Sequence, residues 1–361
     1  MISNINDQNI ISTSPYSIKD KNEDNLNDSK AHKDDKCPQK NMQEIENNLR
    51  KFKFFNENFE LKSLIDSGSE SKVYKIYNKK SKIEYALKQI NNEDRTKKNI
   101  NELKIASKMK QKNIILFYGY SSLDDDNSDY IIMENAKYGN LRNFQINVLK
   151  KAYLSESMLC FLTSQILNGL IYLHKCKIAH MDIKPQNIVI DEFINAKLID
   201  FSISINYKDK ELEDKIKLKF KGTNFYIPIE VHNEETINYK DLNKIDAYSL
   251  GVTLYSLAYG CYPFDLSFKD SKNYDSIFQK INNKLKFKND IKLSSFFIDF
   301  ISKLLEKDIN KRMSIYEAAK HHWIKGADIL MAEKENLHNI NPFIVKLITN
   351  SIKSFNDFIG I

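Results

Sequence analysis

The sequence is poor in glycine, proline and cysteine, with nine, six and four of these among its 361 residues. Glycine makes up roughly 7% of average proteins, so the position of each of the nine glycines is informative. The four cysteines, Cys37, Cys160, Cys176 and Cys261, lie far apart and form neither a disulfide framework nor a pair of metal ligands. Reduced thiols of this kind indicate an intracellular protein.

The chain also lacks targeting signals and nucleic-acid signals. Its first residues do not combine a basic region with an apolar one, and position 2 is not glycine, so we expect neither a secretory signal nor myristoylation. The formal net charge of +7 results from 55 basic and 48 acidic residues that are interleaved. A balance of this size does not require a nucleic-acid partner. We therefore expect a cytoplasmic or nuclear protein that binds no nucleic acid.

A stretch of 18 residues without Asp, Glu, Lys or Arg runs from residue 247 to residue 264. Its length would permit a short membrane span. However, it carries serine, threonine, tyrosine and proline, and Asp246 and Asp265 flank it. This composition favours a helix that is buried on all sides within a large core, so we expect no membrane span.

Composition and periodicity divide the chain into parts. Residues 1–50 are rich in Asn, Asp, Lys and Ser, which predicts a disordered low-complexity tail. A β-rich part with one helix follows. Its strands are expected at residues 59–64, 72–77, 83–88, 114–120 and 130–134, and its helix at 97–110. A mostly helical part then has short strands at 188–190 and 196–199. We therefore predict one domain over 51–324, divided between about 134 and 140.

Residues 325–361 are predicted to form a C-terminal helical extension. Apolar side chains fall on one helical face at positions 344, 347, 348, 352, 355 and 358. Docking of this face onto the protein's own domain, membrane contact, autoinhibition and binding of a regulatory partner are all compatible with the pattern.

One short segment concentrates the groups that phosphoryl transfer needs. It runs from His180 to Asn187 (HMDIKPQN), and Asp200 follows thirteen residues after it. Asp182, Lys184 and Asn187 supply a carboxylate, an ammonium and an amide, and Asp200 adds a second carboxylate. Together such groups hold a hydroxyl, a nucleotide phosphate and Mg²⁺. Phosphoryl transfer requires positioning and charge neutralisation more than covalent help from the protein.

Further motifs stand in order around this segment. Lys88 ends the run Tyr-Ala-Leu-Lys, Gly222-Thr223 precedes Pro228-Ile229-Glu230, and Arg312 lies in Asp-Ile-Asn-Lys-Arg. Together the motifs resemble those of the eukaryotic protein kinase family over residues 59–324. The resemblance is to the serine/threonine type with a catalytic loop that lacks arginine. It implies an α+β bilobal fold, with a small β-rich N-lobe and a larger α-helical C-lobe, and it implies ATP and Mg²⁺.

The resemblance also implies roles for individual residues. Asp182 accepts or orients the proton of the substrate hydroxyl, Lys184 meets the γ-phosphate, and Asn187 and Asp200 hold Mg²⁺. Lys88 neutralises the α- and β-phosphates, and Glu102 aims it. The remaining nucleotide-binding residues are Gly68, Val73, Ala86, Met133, Glu134, Ala136 and Val189. Structural or regulatory roles fall to His180, Phe201, Thr223, Glu230, Asp246 and Arg312, with Glu230 and Arg312 expected as a buried ion pair.

The sequence departs from the family pattern at several positions. Asp66 and Ser71 replace two glycines of the glycine-rich loop, which leaves Gly68 alone. Met181 replaces an arginine that commonly binds an activation-loop phosphate, so activity is not expected to depend on that phosphorylation. Ser202 replaces the glycine after Phe201, and Ile229 stands where proline is usual.

These observations predict an ATP-dependent serine/threonine protein kinase that phosphorylates protein hydroxyls, because Lys184 favours serine/threonine over tyrosine specificity. The eroded glycine loop and Ser202 instead suit a pseudokinase that keeps the fold and signals by binding. A small-molecule kinase of related fold is a third alternative. Neutral residues at Asn140, Gln186 and Ser256 predict no strong preference for basic residues before the phosphosite.

Overall fold

A computed structural model describes residues 57–67, 71–91, 97–123, 128–151, 153–218, 224–267, 270 and 273–325. The predicted N-terminal tail lies outside these residues, as does nearly all of the predicted C-terminal extension. The chain divides into two compact units. One contains the strands up to residue 91 and residues 117–135, and the other contains residues 97–116 and the chain from Ala136 onward.

The first unit is an antiparallel sheet of five strands in the order β1-β2-β3-β5-β4. The strands are β1 (Phe59–Ser67), β2 (Ser71–Asn78), β3 (Glu84–Asn91), β4 (Phe117–Leu123) and β5 (Ser128–Glu134). One face buries an aromatic cluster in which the rings of Phe59 and Tyr118 both meet Tyr85 edge to face, at 5.9 and 4.9 Å. The sheet therefore follows from alternating strands that bury aromatic and branched side chains on one face.

The second unit is mainly helical. Its helices are α1 (Lys97–Ala106), α2 (Leu141–Asn143) with a π-helical turn at Phe144–Val148, α3 (Glu156–Lys175), α4 (Ile229–His232), α5 (Leu242–Tyr259), α6 (Tyr274–Ile281), α7 (Ser295–Leu304), α8 (Ile315–Ala318) and α9 (His322–Lys325). Its short strands are β6 (Ile178–Ala179), β7 (Ile188–Ile190), β8 (Ala196–Leu198), β9 (Ile205–Asn206), β10 (Lys215–Lys217) and β11 (Thr236–Asn238). They pair antiparallel as β6 with β9, β7 with β8, and β10 with β11.

Helix α5 is the centre of this unit. Every residue from Ile245 to Tyr259 is buried, as predicted for the uncharged stretch. The helix ends at Gly260, whose left-handed φ of 67° closes the last turn by donating its N–H to the carbonyl of Ser256. No helix within the described part of the chain is long and apolar enough to span a membrane.

The predicted fold class, a β-rich part followed by a larger helical part, is confirmed, but several element boundaries were wrong, and two of these differences have a clear physical reason. The helix expected at 97–110 ends at Ala106, because the amides of Lys108 and Met109 bond only three residues back, in tight turns that bury Met109. The strand expected at 114–120 begins at Phe117. Ile115 instead donates its amide N–H to the carbonyl of Leu198 at 3.0 Å, so it belongs to the helical unit.

Candidate functional site

The segment from His180 to Asn187 forms a hydrogen-bonded loop between β6 and β7. Lys184 Nζ donates to Asp182 Oδ2 at 2.6 Å. The side-chain amide of Asn187 donates to the same oxygen at 2.7 Å and to the backbone carbonyl of Asp182 at 2.9 Å. Asp182 is 9% exposed. The loop therefore fixes a carboxylate, an ammonium and an amide in one cluster.

Asp246, in the buried helix α5, holds the start of this loop. Its carboxylate accepts the amide N–H groups of His180 and Met181 at 2.9 and 2.7 Å. It also bonds to the Nε2 atom of His174 at 2.7 Å. Burial alone would raise the pKa of Asp246, but the hydrogen bond and charge of His174, the charge of His180 and the Met181 amide hold it below its ordinary value. Asp246 therefore stays ionised as a fixed acceptor.

His174 and Tyr207 complete this support, and sequence reasoning missed both residues. The hydroxyl of Tyr207 lies 3.1 Å from the Nδ1 atom of His174, and its ring stacks on that of Tyr239 at 5.9 Å. The hydrogen bonds that join Tyr207, His174 and Asp246 thus connect the segment after β9 with the backbone of the loop at residues 180–187. In sequence, His174 resembles any histidine near a helix end, so no local signal marks it.

Asp200 follows β8 and adopts a left-handed backbone conformation with φ of 65°. The N–H of its neighbour Ile199 donates to the carbonyl of Asn187 at 3.0 Å, which joins this strand end to the loop at residues 180–187. The ring of Phe201, which is fully buried, lies 5.4 Å from that of His180. His180 also contacts the carbonyl of Ile199 through Nε2 at 3.0 Å. The two segments that carry Asn187 and Asp200 are therefore held together by backbone and ring contacts.

The donor set around Asn187 and Asp200 fits Mg²⁺. Asn187 uses its nitrogen for the bonds to Asp182, which leaves its amide oxygen as the metal-ligating type of atom. No group of three His, Cys, Asp or Glu side chains suited to a metal occurs among the described residues. One carboxylate and one amide suffice for Mg²⁺, because this ion commonly takes its other ligands from substrate phosphates and water.

Glu230 and Arg312 form a buried ion pair with two parallel bonds. Arg312 Nη1 lies 2.5 Å from Glu230 Oε1, and Nη2 lies 3.1 Å from Oε2. Arg312 is 1% exposed, also donates to the carbonyls of Glu306, Lys244 and Lys307, and lies over the ring of Tyr248. The guanidinium thus joins α4, α5 and the segment before α8.

Met181 stands at the position where the family pattern has an arginine. Its side chain contacts a buried apolar cluster that includes Leu218, Ile227 and Leu242. Leu218 follows β10, which pairs with β11, and Lys240 adds an ion pair to Glu213 at 2.7 Å. The described end of the segment after Asp200 is therefore held by apolar packing and a strand pair.

The proposed nucleotide-binding residues fall in both units. In the sheet, Val73 lies opposite Lys88, and Ala86 and Tyr85 lie opposite Met133 and Glu134. Lys88 belongs to the sheet unit, whereas Glu102, in α1, belongs to the helical unit and is 6% exposed. Ala136 and Val189 also lie in the helical unit.

The glycine-rich loop is described only at its edges. Gly68 and Thr223 lie outside the described residues. Asp66, which replaces a glycine, is exposed at the end of β1, and its carboxylate accepts the adjacent Ser67 amide at 2.8 Å. This carboxylate is thus bonded to its own strand.

Comparison with known proteins identifies the class. The sequence-family model of the protein kinase domain matches residues 59–324. The chain is 30% identical to Calcium-dependent protein kinase 4 of Plasmodium berghei, over 83% of this chain and 55% of the relative. It is 30% identical to an Aurora kinase of Schizosaccharomyces pombe, over 74% and 71%, and 31% identical to Death-associated protein kinase 2 of Homo sapiens, over 77% and 75%.

The family model and these relatives show that the chain belongs to the protein kinase family. The expected relationship to serine/threonine protein kinases is thereby confirmed. The chain spans about half the length of several of the relatives that it matches.

Proposed function

We propose that this chain is an active serine/threonine protein kinase that transfers the γ-phosphoryl group of ATP to protein hydroxyls. The observation that carries this proposal is the cluster of Asp182, Lys184 and Asn187, with bonds of 2.6 to 2.9 Å among them. Preorganised groups of this kind act on charge that develops in the transition state without having to reorganise first.

Asp182 takes up the proton of the attacking hydroxyl. As the hydroxyl oxygen bonds to the γ-phosphorus, the bond from that phosphorus to the bridging oxygen of ADP breaks, and ADP leaves with the electron pair. Lys184 neutralises charge on the transferred group, and its hydrogen bond to Asp182 holds its Nζ atom beside that carboxylate. General acid–base assistance of this type contributes about 10²–10⁴-fold.

Asn187 and Asp200 are the proposed Mg²⁺ ligands. The ion, when bound with ATP, neutralises the β- and γ-phosphates. The chain contributes the amide oxygen of Asn187 and the carboxylate of Asp200. Phe201 and His180 keep the two carrying segments in place.

Lys88 is proposed to neutralise the α- and β-phosphates, with Glu102 as its positioning residue. The adenine is proposed to bind Val73, Ala86, Met133 and Val189 and the backbone of Glu134 and Ala136, with Gly68 at the phosphates. Thr223 is proposed to support the catalytic loop. These assignments rest on the match to the kinase domain.

A pseudokinase is the second candidate, and the replaced glycines favour it. The discriminating experiment incubates purified protein with labelled ATP, Mg²⁺ and a generic acceptor protein, beside the Asp200→Ala variant. Label transfer by the wild type that Asp200→Ala abolishes supports the kinase. Equal label in both samples, or none in either, would refute it.

The kinase domain is proposed to occupy residues 51–324, between a disordered tail and a helical extension that binds its own domain or a regulatory partner. An intracellular site, cytoplasmic or nuclear, is proposed as well. The free thiols of Cys160, Cys176 and Cys261 support this compartment.

A further inference from the structure

A cavity of about 650 Å³ opens on the helical unit. It lies against the π-helical turn that follows α2, the segment before α3, the end of α5 and the segment before α7. Four of its lining side chains are cationic and one, Asp290, is anionic; the cations are Arg142, Lys150, Lys151 and Lys288. A volume of this size falls in the range of about 300–1,000 Å³ that is usual for ligand sites.

These four cations have no anionic partner within the described part of the chain. Nearby lysines differ, since Lys286 pairs with Asp265 at 3.2 Å and Lys280 with Asp270 at 2.8 Å. Four positive side chains against one negative side chain give the cavity a positive potential. Charges of one sign gathered in a concave surface attract ligands of the opposite sign.

The wall of the cavity is built around a buried polar side chain. Gln145 is fully buried, and its Oε1 atom accepts a bond from Arg142 Nη1 at 3.0 Å. Its Nε2 atom donates to the carbonyl of Leu257 at 3.3 Å, and its own carbonyl accepts the Lys151 amide at 3.1 Å. Gln145 therefore holds one cation by its side chain and the backbone of a second against the end of α5.

Lys288 is held from the opposite side. Its Nζ atom donates to the carbonyl of Tyr259, the last residue of α5, at 3.2 Å. The ring of Tyr259 packs on Tyr255 and Phe287 at 4.7 and 6.1 Å. The cations are thus presented by a packed framework, which lowers the entropic cost of binding a ligand.

The cavity is also partly apolar. Ile146 and Tyr153 line it and are 46% and 49% exposed. Exposed apolar side chains beside cations suit a peptide that carries both carboxylates and apolar groups. They suit a free inorganic anion less well, since such an ion has no apolar surface to bury.

Helix α2, which carries Arg142, begins beside the strand that follows the loop at residues 180–187. The N–H of Ile190, in β7, donates to the carbonyl of Gly139 at 2.9 Å, and Asn140 pairs with Val189. The cations therefore belong to the same unit as the loop that is proposed to act on the substrate hydroxyl.

We propose that this cationic cavity binds an acidic segment of the protein substrate and thereby selects substrates in which Asp and Glu flank the phosphorylated hydroxyl. The proposal rests on the proposed kinase function. It adds a substrate class, namely acidic protein segments.

The test uses the full chain and two labelled peptides. One is rich in Asp and Glu around a single serine, and its twin has Asn and Gln in their place. Binding is measured by fluorescence anisotropy, and kcat/KM by phosphate transfer. Arg142→Gln with Lys151→Gln removes two of the charges, and Arg142→Lys keeps the charge. Lys110→Gln with Lys320→Gln removes two exposed lysines elsewhere as the matched control.

The wild type is expected to bind the acidic peptide more tightly than its twin. The Arg142→Gln, Lys151→Gln variant should raise the Kd of the acidic peptide roughly fourfold to twenty-five-fold, because each of the two exposed ion pairs is worth a factor of about two to five. Its kcat/KM for the acidic peptide should fall by the same factor and that for the twin should stay the same. Arg142→Lys and the control pair should retain the preference.

Several outcomes would overturn the proposal. They are equal affinity of the wild type for both peptides, an equal loss on both peptides in the double variant, and displacement of the acidic peptide by a single-stranded oligonucleotide of the same charge. If the affinity difference is found but no peptide is phosphorylated, the cavity assignment stands and the kinase proposal fails.

Discussion

The carboxylate of Asp246 accepts the backbone N–H of Met181 at 2.7 Å, while Met181 holds a left-handed φ of 69°. Such a backbone conformation is uncommon for a residue with a side chain and is kept only where the surroundings enforce it. The same carboxylate accepts the N–H of His180. Met181, the residue before Asp182, is thus held in place by the buried carboxylate of Asp246 in helix α5.

Asp246→Asn is expected to lower the free energy of unfolding by about 3 kcal/mol or more, because an NH₂ group replaces one acceptor among buried N–H donors. Urea unfolding measures the loss. Asp241→Asn is the matched control, since Asp241 makes only a partly exposed pair with Lys244 at 3.5 Å and its loss should cost about 1 kcal/mol or less. Equal losses in the two variants would contradict this account of Asp246.

Met181→Arg restores the residue of the family pattern and is expected to destabilise this protein. A guanidinium next to Ile227 and Leu242 would lose hydration without an ion partner in the apolar cluster, at a cost of about 1–3 kcal/mol. Thermal unfolding should show the loss, and Met181→Leu, which keeps the volume, should stay within about 1.5 kcal/mol. A more stable Met181→Arg variant would show that the apolar cluster does not depend on Met181.

Arg312→Ala is expected to cost about 3–5 kcal/mol, because it leaves the buried carboxylate of Glu230 without compensation. Lys311→Ala, at the adjacent exposed position, should change stability by about 0.5 kcal/mol or less. Chemical denaturation of both variants compares them directly. A small effect of Arg312→Ala would mean that the ion pair is not fully desolvated.

The contact between Ser314 and Glu317 at the start of α8 should make the stability of the protein depend on pH. The amide and hydroxyl of Ser314 donate to Glu317 and hold the pKa of its carboxyl below the ordinary 4.5. Because the pKa is lower in the folded state, the stabilisation is complete above pH 4.5 and is lost as the pH falls through the folded value. Glu317→Gln should therefore cost about 0.3–1 kcal/mol at neutral pH.

Denaturation of wild type and Glu317→Gln across the acid range tests this sign. The difference between the two proteins should shrink as the pH falls below 4.5. A difference that stays constant into strong acid would show that the charge of Glu317 does not contribute.

The order and spacing of the motifs were sufficient to predict the family and to place Asp182, Lys184 and Asn187 together in one loop. Asp182, Lys184 and Asn187 lie within six residues, so local geometry brings them together. The presence of the strands could be predicted from the alternation of apolar and polar residues, but the residues at which the strands begin and end could not. Ile114 and Ile115 read as the start of β4, yet their partner is Leu198, which lies far along the chain and leaves no local trace.

The residues that support the loop at residues 180–187 were the hardest to predict from the sequence. Tyr207 and His174 meet only because β6 and β9 pair. Gly169 gave no signal either, although a Cβ atom there would lie 2.9 Å from the carbonyl of Asn113. Close approaches of this kind depend on tertiary packing, which periodicity does not encode.

The most direct test of the central claim, that the cluster around Asp182 catalyses phosphoryl transfer, is the turnover of Asp182→Asn beside its nucleotide affinity. The variant keeps the shape of the side chain but does not accept the hydroxyl proton. We expect kcat to fall by about 10²–10⁴-fold while ATP binding is retained. Turnover comparable to that of the wild type would contradict the claim.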